Sequence, residues 1–322
     1  MASFEKVNYS LRPAKSVQQQ LAIEGVRQIL REIRPENPIY IGLGSIWFTD
    51  FMAAHKQLGI EKMISIENCG IGVARAKFNK PFSTVCVQEG EAGEVLEKLY
   101  EKDELNQSPW VVWLDYDSHL NEGILNVLKA LTIKAPKNSI LLTTFNCNRS
   151  RYGRLKSEVG QTLERREKLK KLFGDAFPDE VTQQVLKDEA TLADLLANLT
   201  LDTLDNHVQE AGRSGGFRKA FRMIYSDNAR MVTVGGVLPA NGHEARVREI
   251  VASDEWPCLP EDPIDLPPLT VLEILTLQAR HPRETPLTKE NAQEELGFVL
   301  EDQQLKAFWR YYRYYPVFVR AA

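Results

Sequence analysis

The sequence predicts an α/β protein with a doubly wound, mostly parallel sheet of seven strands that ends in an antiparallel hairpin. Two observations support this prediction. Short, continuously apolar runs alternate with helical segments in the first half of the chain, which is typical of parallel strands covered on both faces. Two β-rich runs follow later, separated by Ser226-Asp227-Asn228, whose residue types favour a hairpin turn.

Five strands are predicted before the long helical stretch, because each is a short apolar run bounded by turn residues or by a helical segment. Their predicted ranges are 39–43, 63–67, 83–88, 110–114 and 139–145, and the hairpin adds 217–225 and 231–238. Helices are predicted between the strands at 47–58, 92–100 and 121–135.

The predicted elements divide the chain into a core with helical additions. The N-terminal unit, residues 1–35, is expected to hold an extended polar lead and then a helix. Ser16 and Gln19 have capping-box spacing, which predicts that this helix begins at Ser16. The other predicted units are a core at 36–146, a helical insertion at 147–216, the hairpin at 217–240 and a helical C-terminal extension at 241–322.

Composition limits the class of protein. The 322 residues are 43% hydrophobic and 26% charged, which is ordinary for a globular protein with an apolar core. The formal net charge of -4 argues against attachment to nucleic acid by bulk charge. The four cysteines form no CxxC pair, so a structural zinc or redox motif is not expected. With no apolar signal core and no membrane-length apolar run, a cytoplasmic location without membrane contact is expected.

Ligands of open α/β sheets bind beyond the carboxyl ends of the strands, so the residues that follow each strand are candidate site residues. After the first strand comes Gly42-Leu43-Gly44-Ser45, a turn that lets a ligand approach backbone N–H groups. After the second come Glu67 and Asn68, where an acid can bind ribose hydroxyls. After the third comes Glu89, suited to an adenine amino group. Each also has a structural explanation, as a tight turn, a strand-end carboxylate or a helix start.

The fourth strand ends in the densest group of polar residues, Asp115-Tyr116-Asp117-Ser118-His119. A strand buried on both faces rarely ends in two acids without a functional use. Asp115, Asp117 and His119 are therefore candidate catalytic residues, with His119 as a general base. The alternatives are that Asp117 or Ser118 only caps the next helix and that His119 is a partly exposed residue at a helix start.

A hard metal ion such as Mg²⁺ is a second candidate cofactor at this edge. Asp115, Asp117 and Asn146, which follows the fifth strand, carry the oxygen atoms that Mg²⁺ prefers. Metal polarisation is one way to activate a hydroxyl acceptor. A loop asparagine without a ligand is the slightly favoured explanation of Asn146.

The order of these features resembles the class I S-adenosylmethionine-dependent methyltransferase superfamily, which has a Rossmann-like fold. The resemblance covers about residues 36–146 and 217–240, since the superfamily also ends in a reversed hairpin. It implies that S-adenosylmethionine binds at the glycine turn and that Asp115 lies at the face of methyl transfer. The residues assigned to the cofactor in this way are Gly42, Gly44, Ser45, Glu67, Asn68, Glu89 and Asp115.

A looser resemblance concerns the reaction. The segment Asn8–Lys15, the motif Trp113-Leu114-Asp115-Tyr116-Asp117 and the aromatic tail at 308–315 are similar to bacterial proteins of uncharacterised function that are classed as O-methyltransferases. This likeness implies transfer to an oxygen of an unidentified small-molecule or macromolecular acceptor. The tail either stacks nucleic-acid bases or, more commonly, packs a terminal helix onto the core.

The sequence also departs from the superfamily pattern. Tyr40 stands where an acid is common, and Ile46 replaces the usual third glycine, beside Trp47. The alternative is therefore a catalytically silent, methyltransferase-like interaction or sensor protein that binds a nucleotide-type ligand, nucleic acid or a protein partner. The basic stretches at 149–156 and 165–171 offer such a protein a phosphate-binding or acid-binding surface, although a solvated helix face explains the same charges.

Overall fold

The computed structural model of the protein describes residues 12–153 and 157–316. Residues 1–11 of the predicted polar lead, residues 154–156 of the first basic stretch and residues 317–322 lie outside the described residues. Within the described ranges, the chain folds around a single sheet with an apolar cluster on each face.

The sheet contains every strand that the sequence predicts and a short eighth strand. The strands are β1 (Ile39–Leu43), β2 (Lys62–Glu67), β3 (Val85–Glu89), β4 (Trp110–His119), β5 (Ser139–Asn146), β6 (Arg218–Ser226), β7 (Arg230–Leu238) and β8 (Ile264–Asp265). Their order is β3-β2-β1-β4-β5-β7-β6-β8. Strands β1 to β5 are parallel, and β7 runs antiparallel to both β5 and β6. The predicted doubly wound fold is confirmed, and β8 adds one parallel pairing to β6.

Helices cover the sheet and form the additions. The N-terminal half holds α1 (Pro13–Ile33), α2 (Thr49–Leu58), α3 (Gly70–Asn79), α4 (Ala92–Tyr100), α5 (Asp103–Asn106) and α6 (Glu122–Lys134). The insertion holds α7 (Arg149–Tyr152), α8 (Glu158–Phe173), α9 (Gln183–Lys187) and α10 (Glu189–Glu210). The extension holds α11 (Glu244–Val251), α12 (Val271–Gln278), α13 (Lys289–Leu296) and α14 (Asp302–Tyr311). Of these described helices, none has the length and apolar character needed to cross a membrane.

Helix α3 is the element that the sequence interpretation missed between β2 and β3. Its first turn contains Gly70 and Gly72, and glycine is a poor helix former in water. Packing supplies the missing stability, because Val73 and Ala76 are buried beneath the helix.

Helix α1 begins three residues before the predicted capping box. Pro13 occupies its first turn, where a missing N–H costs nothing, and Ser16 lies inside the helix. The N–H groups of Ala14 and Lys15 donate to the two carboxylate oxygens of Asp227, each at 3.0 Å. Since Asp227 belongs to the β6–β7 turn, the cap of this helix comes from a residue far away in the sequence.

The two faces of the sheet carry different helices. Tyr40 of β1 faces the cluster formed with α1, α2 and the extension, whereas Ile39 and Ile41 face the cluster formed with α4, α6 and α10. This burial on both faces explains the continuous apolar runs in the sequence. The aromatic tail packs onto the core, because Phe308 and Tyr315 are buried in the first cluster.

Two arginines of the predicted basic surface hold the insertion together. Arg165 is 1% exposed and donates to the backbone carbonyls of Leu186 and Arg149. Arg166 donates to the carbonyl of Val181. These guanidinium groups therefore satisfy backbone carbonyls of the insertion, which the charge pattern alone did not indicate. Binding of phosphates or an acidic partner by the rest of this stretch stays a prediction.

Asp227→Ala removes both acceptors from the first turn of α1. We expect the free energy of unfolding to fall by about 1–2 kcal/mol, the usual effect of deleting a helix cap. Urea denaturation measures this change. The control is Asp254→Ala at an exposed carboxylate, which we expect to change the free energy by less than about 0.5 kcal/mol. Equal effects of the two substitutions would contradict the capping role.

Candidate active site

The carboxyl ends of strands β1 to β4 line an open cleft of about 650 Å³. The cleft lies where the strand order reverses, between β1 and β4, which is where doubly wound sheets bind their ligands. The lining residues discussed below are Gly44, Glu67, Asn68, Gly90, Glu91, Asp115, Tyr116 and Asp117.

The turn after β1 lies tightly against β2. The N–H of Gly44 donates to the carbonyl of Ile66 at 2.8 Å. A β-carbon at Gly44 would lie 2.2 Å from Oγ of Ser65, so only glycine fits at this position without a shift. Ser65 is fully buried, and its Oγ has no hydrogen-bond partner in the described part of the chain. This hydroxyl lies against Gly44 and does not line the cleft.

Glu67 is positioned by the loop that follows β2. Its Oε1 accepts from the N–H of Cys69 at 3.1 Å, and the residue is 9% exposed. Burial raises the pKa of its carboxyl. A β-carbon at Gly72 would lie 2.7 Å from the carboxyl carbon, so the glycine in the first turn of α3 leaves room for this side chain.

Two further residues that line the cleft were missed by the sequence interpretation. Glu91 rather than Glu89 lines the cleft, and its carboxylate accepts from the side-chain amide of Asn68 at 2.9 Å. Glu89 ends β3, and Gly90 then turns the chain with a φ of 144°. Glu89 and Glu91 are two residues apart in one polar run, so the sequence alone did not show which of them lines the cleft. Tyr116 is the second missed residue, and burial raises the pKa of its phenol.

Asp115 lines the cleft and pairs with a lysine from α1. Nζ of Lys15 lies 2.5 Å from Oδ2 of Asp115, and Lys15 is 4% exposed. Oδ1 of Asp115 is buried and lacks a hydrogen-bond partner among the described residues. Lys15 belongs to the segment Asn8–Lys15 of the looser resemblance, but its contact with Asp115 arises only through the packing of α1 onto the sheet.

A second carboxylate lies behind the glycine turn. The hydroxyl of Tyr40 donates to Oδ2 of Asp50 at 2.6 Å, and a β-carbon at Gly42 would lie 3.2 Å from the same oxygen. Burial raises the pKa of Asp50 to about 6, and the charge of Asp115 adds to this effect. Tyr40 stands where the superfamily often has an acid, and here it holds an acid from α2 at the turn.

The cleft brings together five of the predicted site residues, which are Gly44, Glu67, Asn68, Asp115 and Asp117. The other five do not line it, and these are Gly42, Ser45, Glu89, His119 and Asn146. His119 illustrates the reason. Strand β4 continues to His119 with a register shift after Asp115, and the imidazole packs against the ring of Tyr152 at 5.5 Å between centroids. The general-base prediction for His119 therefore has no support from this geometry.

The predicted Mg²⁺ site has no support either. Oδ1 of Asn146 accepts from the N–H of Asn148 at 2.9 Å, and Oδ2 of Asp115 is engaged by Lys15. Across residues 12–153 and 157–316, no three His, Cys, Asp or Glu side chains are grouped as metal ligands. These two oxygens of Asn146 and Asp115 are thus engaged in other contacts.

Comparison with protein families agrees with this geometry. A family model described as "Putative O-methyltransferase" matches residues 7–322. The chain belongs to this O-methyltransferase family. No curated protein matches it in sequence.

Solved structures that resemble this family member are distant from it. Trm1 from Pyrococcus horikoshii, solved with S-adenosyl-L-methionine, is 11% identical with a TM-score of 0.45, over 73% of this chain and 58% of that one. The second structure is a protein from Listeria monocytogenes described as a putative S-adenosylmethionine dependent methyltransferase. It is 16% identical with a TM-score of 0.30, and the match covers 41% of this chain and 54% of that one. The chain therefore spans little more than half the length of these two proteins.

The raised pKa of Asp50 predicts a pH-dependent stability. The folded protein holds this proton more tightly than the unfolded chain, in which an aspartate has a pKa near 3.9. The contribution of Asp50 to the free energy of unfolding is therefore largest below about pH 4 and declines as pH rises through 6. Asp50→Asn keeps an acceptor for Tyr40 without the charge. We expect the variant to gain about 2–3 kcal/mol relative to the wild type between pH 4 and pH 8.

Urea denaturation at pH 4, 6 and 8 measures this difference. Asp254→Asn, at an exposed acid, serves as the control and should follow the wild-type profile. Parallel pH profiles for Asp50→Asn and the wild type would show that Asp50 is not a buried acid with a raised pKa.

Proposed function

We propose that this protein is an S-adenosylmethionine-dependent methyltransferase that acts on an oxygen atom of its acceptor. The supporting observation is the cleft, in which the Gly44 turn, Glu67 and Asp115 stand along one edge of the sheet. When bound, S-adenosylmethionine supplies an electrophilic methyl group on a sulfonium. Family membership supports both methyl transfer and its direction to oxygen.

The residues present fit this cofactor. Glu67 offers a fixed carboxylate to ribose hydroxyls, and Glu91 with Asn68 offers hydrogen-bonding groups to an adenine edge. Tyr116 provides an aromatic wall in the same cleft. The close approach of Gly44 to Ser65 leaves no room for a side chain at this turn, so a ligand can approach the backbone there.

Asp115 is the residue that we assign to the acceptor. Its Oδ1 is buried without a partner in the described structure, while Lys15 fixes its Oδ2. A carboxylate oxygen in this state accepts a hydrogen bond from an acceptor hydroxyl, which orients the oxygen and takes up its proton.

The alternative of a catalytically silent protein rested on the unusual residues of the first turn. Neither Ile46 nor Trp47 lines the cleft, so these two departures do not fill the proposed cofactor site. Tyr40 is accounted for by its hydrogen bond to Asp50. The cleft is therefore open for a cofactor, and a binding measurement tests the proposal directly.

Isothermal titration calorimetry should show that the wild-type protein binds S-adenosylmethionine. Glu67→Ala removes the proposed ribose contacts, and we expect its affinity to fall by about 10- to 100-fold, as for the loss of hydrogen bonds to a charged group. Glu101→Ala, at an exposed acid outside the cleft, is the control and should bind as the wild type does. Absence of binding by the wild type would contradict the proposed function.

Gly44→Ala tests the wall of the cleft. The new β-carbon meets Oγ of Ser65, so the turn must shift and we expect S-adenosylmethionine affinity to fall at least about tenfold. Adding Ser65→Ala removes that oxygen and leaves the nearest side-chain carbon at 3.6 Å. We expect this second change to restore most of the affinity. Gly70→Ala, with nothing within 4 Å of its β-carbon, is the matched control. A double variant as weak as Gly44→Ala would contradict this account of the turn.

A further inference from the structure

The contact between Lys15 and Asp115 sets the charge at one end of the cleft. In the β1–β4 register, Gly42 pairs with Trp113, so Asp115 lies two residues further along, level with Gly44. Asp115 therefore lies at one end of the cleft, on β4, and β1 separates it from Glu67 on β2. Because Nζ of Lys15 is 2.5 Å from the carboxylate, the pair has little net charge when seen from the cleft.

The position of Lys15 is fixed by two separate contacts. Its backbone N–H donates to Asp227, and its side chain reaches Asp115. The neighbouring N–H of Ala14 donates to the other oxygen of Asp227, so the whole first turn of α1 is held against the β6–β7 turn. Lys15 is also almost fully buried, which removes most of the solvent screening that weakens surface ion pairs.

Most of the other charges near this end are negative, although the positive charge of Arg12 also acts on Asp227 and Tyr225. Asp117 lines the cleft, and Asp50 lies close enough to Asp115 for that charge to raise its pKa. A carboxylate-rich end attracts a positive ligand group, and Lys15 opposes that attraction. The balance between them decides how strongly this end prefers a cation over a neutral group of similar shape.

We propose that Lys15, acting through Asp115, sets the preference of the cleft between S-adenosylmethionine and its product S-adenosylhomocysteine. This inference rests on the proposed function. The two molecules differ by one methyl group and by the positive charge of the sulfonium, so the ratio of their affinities reports the electrostatic potential at this end. Lys15 is a positioning residue that keeps the charged cofactor from being held too strongly relative to its neutral product. A cofactor bound too strongly in its charged ground state reacts more slowly.

The test compares both ligands on the same full-length variants by isothermal titration calorimetry at one fixed pH. Lys15→Met keeps the length of the side chain and removes its charge. We expect the affinity ratio of S-adenosylmethionine to S-adenosylhomocysteine to rise by about tenfold, since Asp115 then acts uncompensated. Lys15→Arg keeps the charge and should change the ratio by less than about twofold. Lys98→Met, at an exposed lysine of α4, is the matched control and should leave the ratio unchanged.

A ratio in Lys15→Met that is unchanged or lower, with both ligands still bound, overturns the inference and leaves the proposed function in place. A similar rise in Lys15→Arg also overturns it, because packing rather than charge would then be the cause. Failure of the wild type to bind either ligand overturns the proposed function itself. If thermal melting shows that Lys15→Met is unfolded, Asp115→Asn takes its place. This variant leaves Lys15 uncompensated and must lower the ratio, and an unchanged ratio overturns the inference.

Discussion

The docking of α1 through Asp227 and Lys15 is the constraint on which the candidate site depends. Asp227, in the β6–β7 turn, caps the helix, and Lys15 in the capped turn pairs with Asp115 on β4. One helix end thus ties the hairpin to the middle of the parallel sheet. Burying these charges is unfavourable unless each has its partner. Loss of Asp227, Lys15 or Asp115 is therefore expected to destabilise the contacts of the other two. The helix dipole adds to the attraction for Asp227.

Most of the sheet was predictable from the sequence, because burial on both faces leaves a direct record in the chain. Strands β1 and β4 contain continuous apolar runs that are buried, and the hairpin is marked by its turn residues. Three features were not predictable from local patterns. Helix α1 starts at Pro13 because its cap is a residue in a distant turn. Helix α3 has glycines in its first turn and relies on packing. Strand β8 is two residues long and exists only as a pairing with β6.

The candidate site was predictable in outline and less so in detail. The rule that ligands bind beyond the carboxyl ends of strands led to Gly44, Glu67 and Asp115, all of which line the cleft. After β3, the turn at Gly90 determines which acid lines the cleft, and the sequence indicated Glu89 where the structure has Glu91. Lys15 was missed for a different reason. Its role arises from tertiary packing alone, because its partner Asp115 lies 100 residues further along the chain.

The central claim is that this edge of the sheet binds S-adenosylmethionine, with the charged end at Asp115 and Lys15 and the adenosine toward Glu67 and Glu91. A crystal structure of the protein with S-adenosylhomocysteine tests it most directly. We expect ligand density across the cleft, with the ribose at Glu67 and the sulfur near Asp115. The ion pair between Lys15 and Asp115 should be intact. Density in the reverse orientation, or a ligand bound away from this edge, would contradict it.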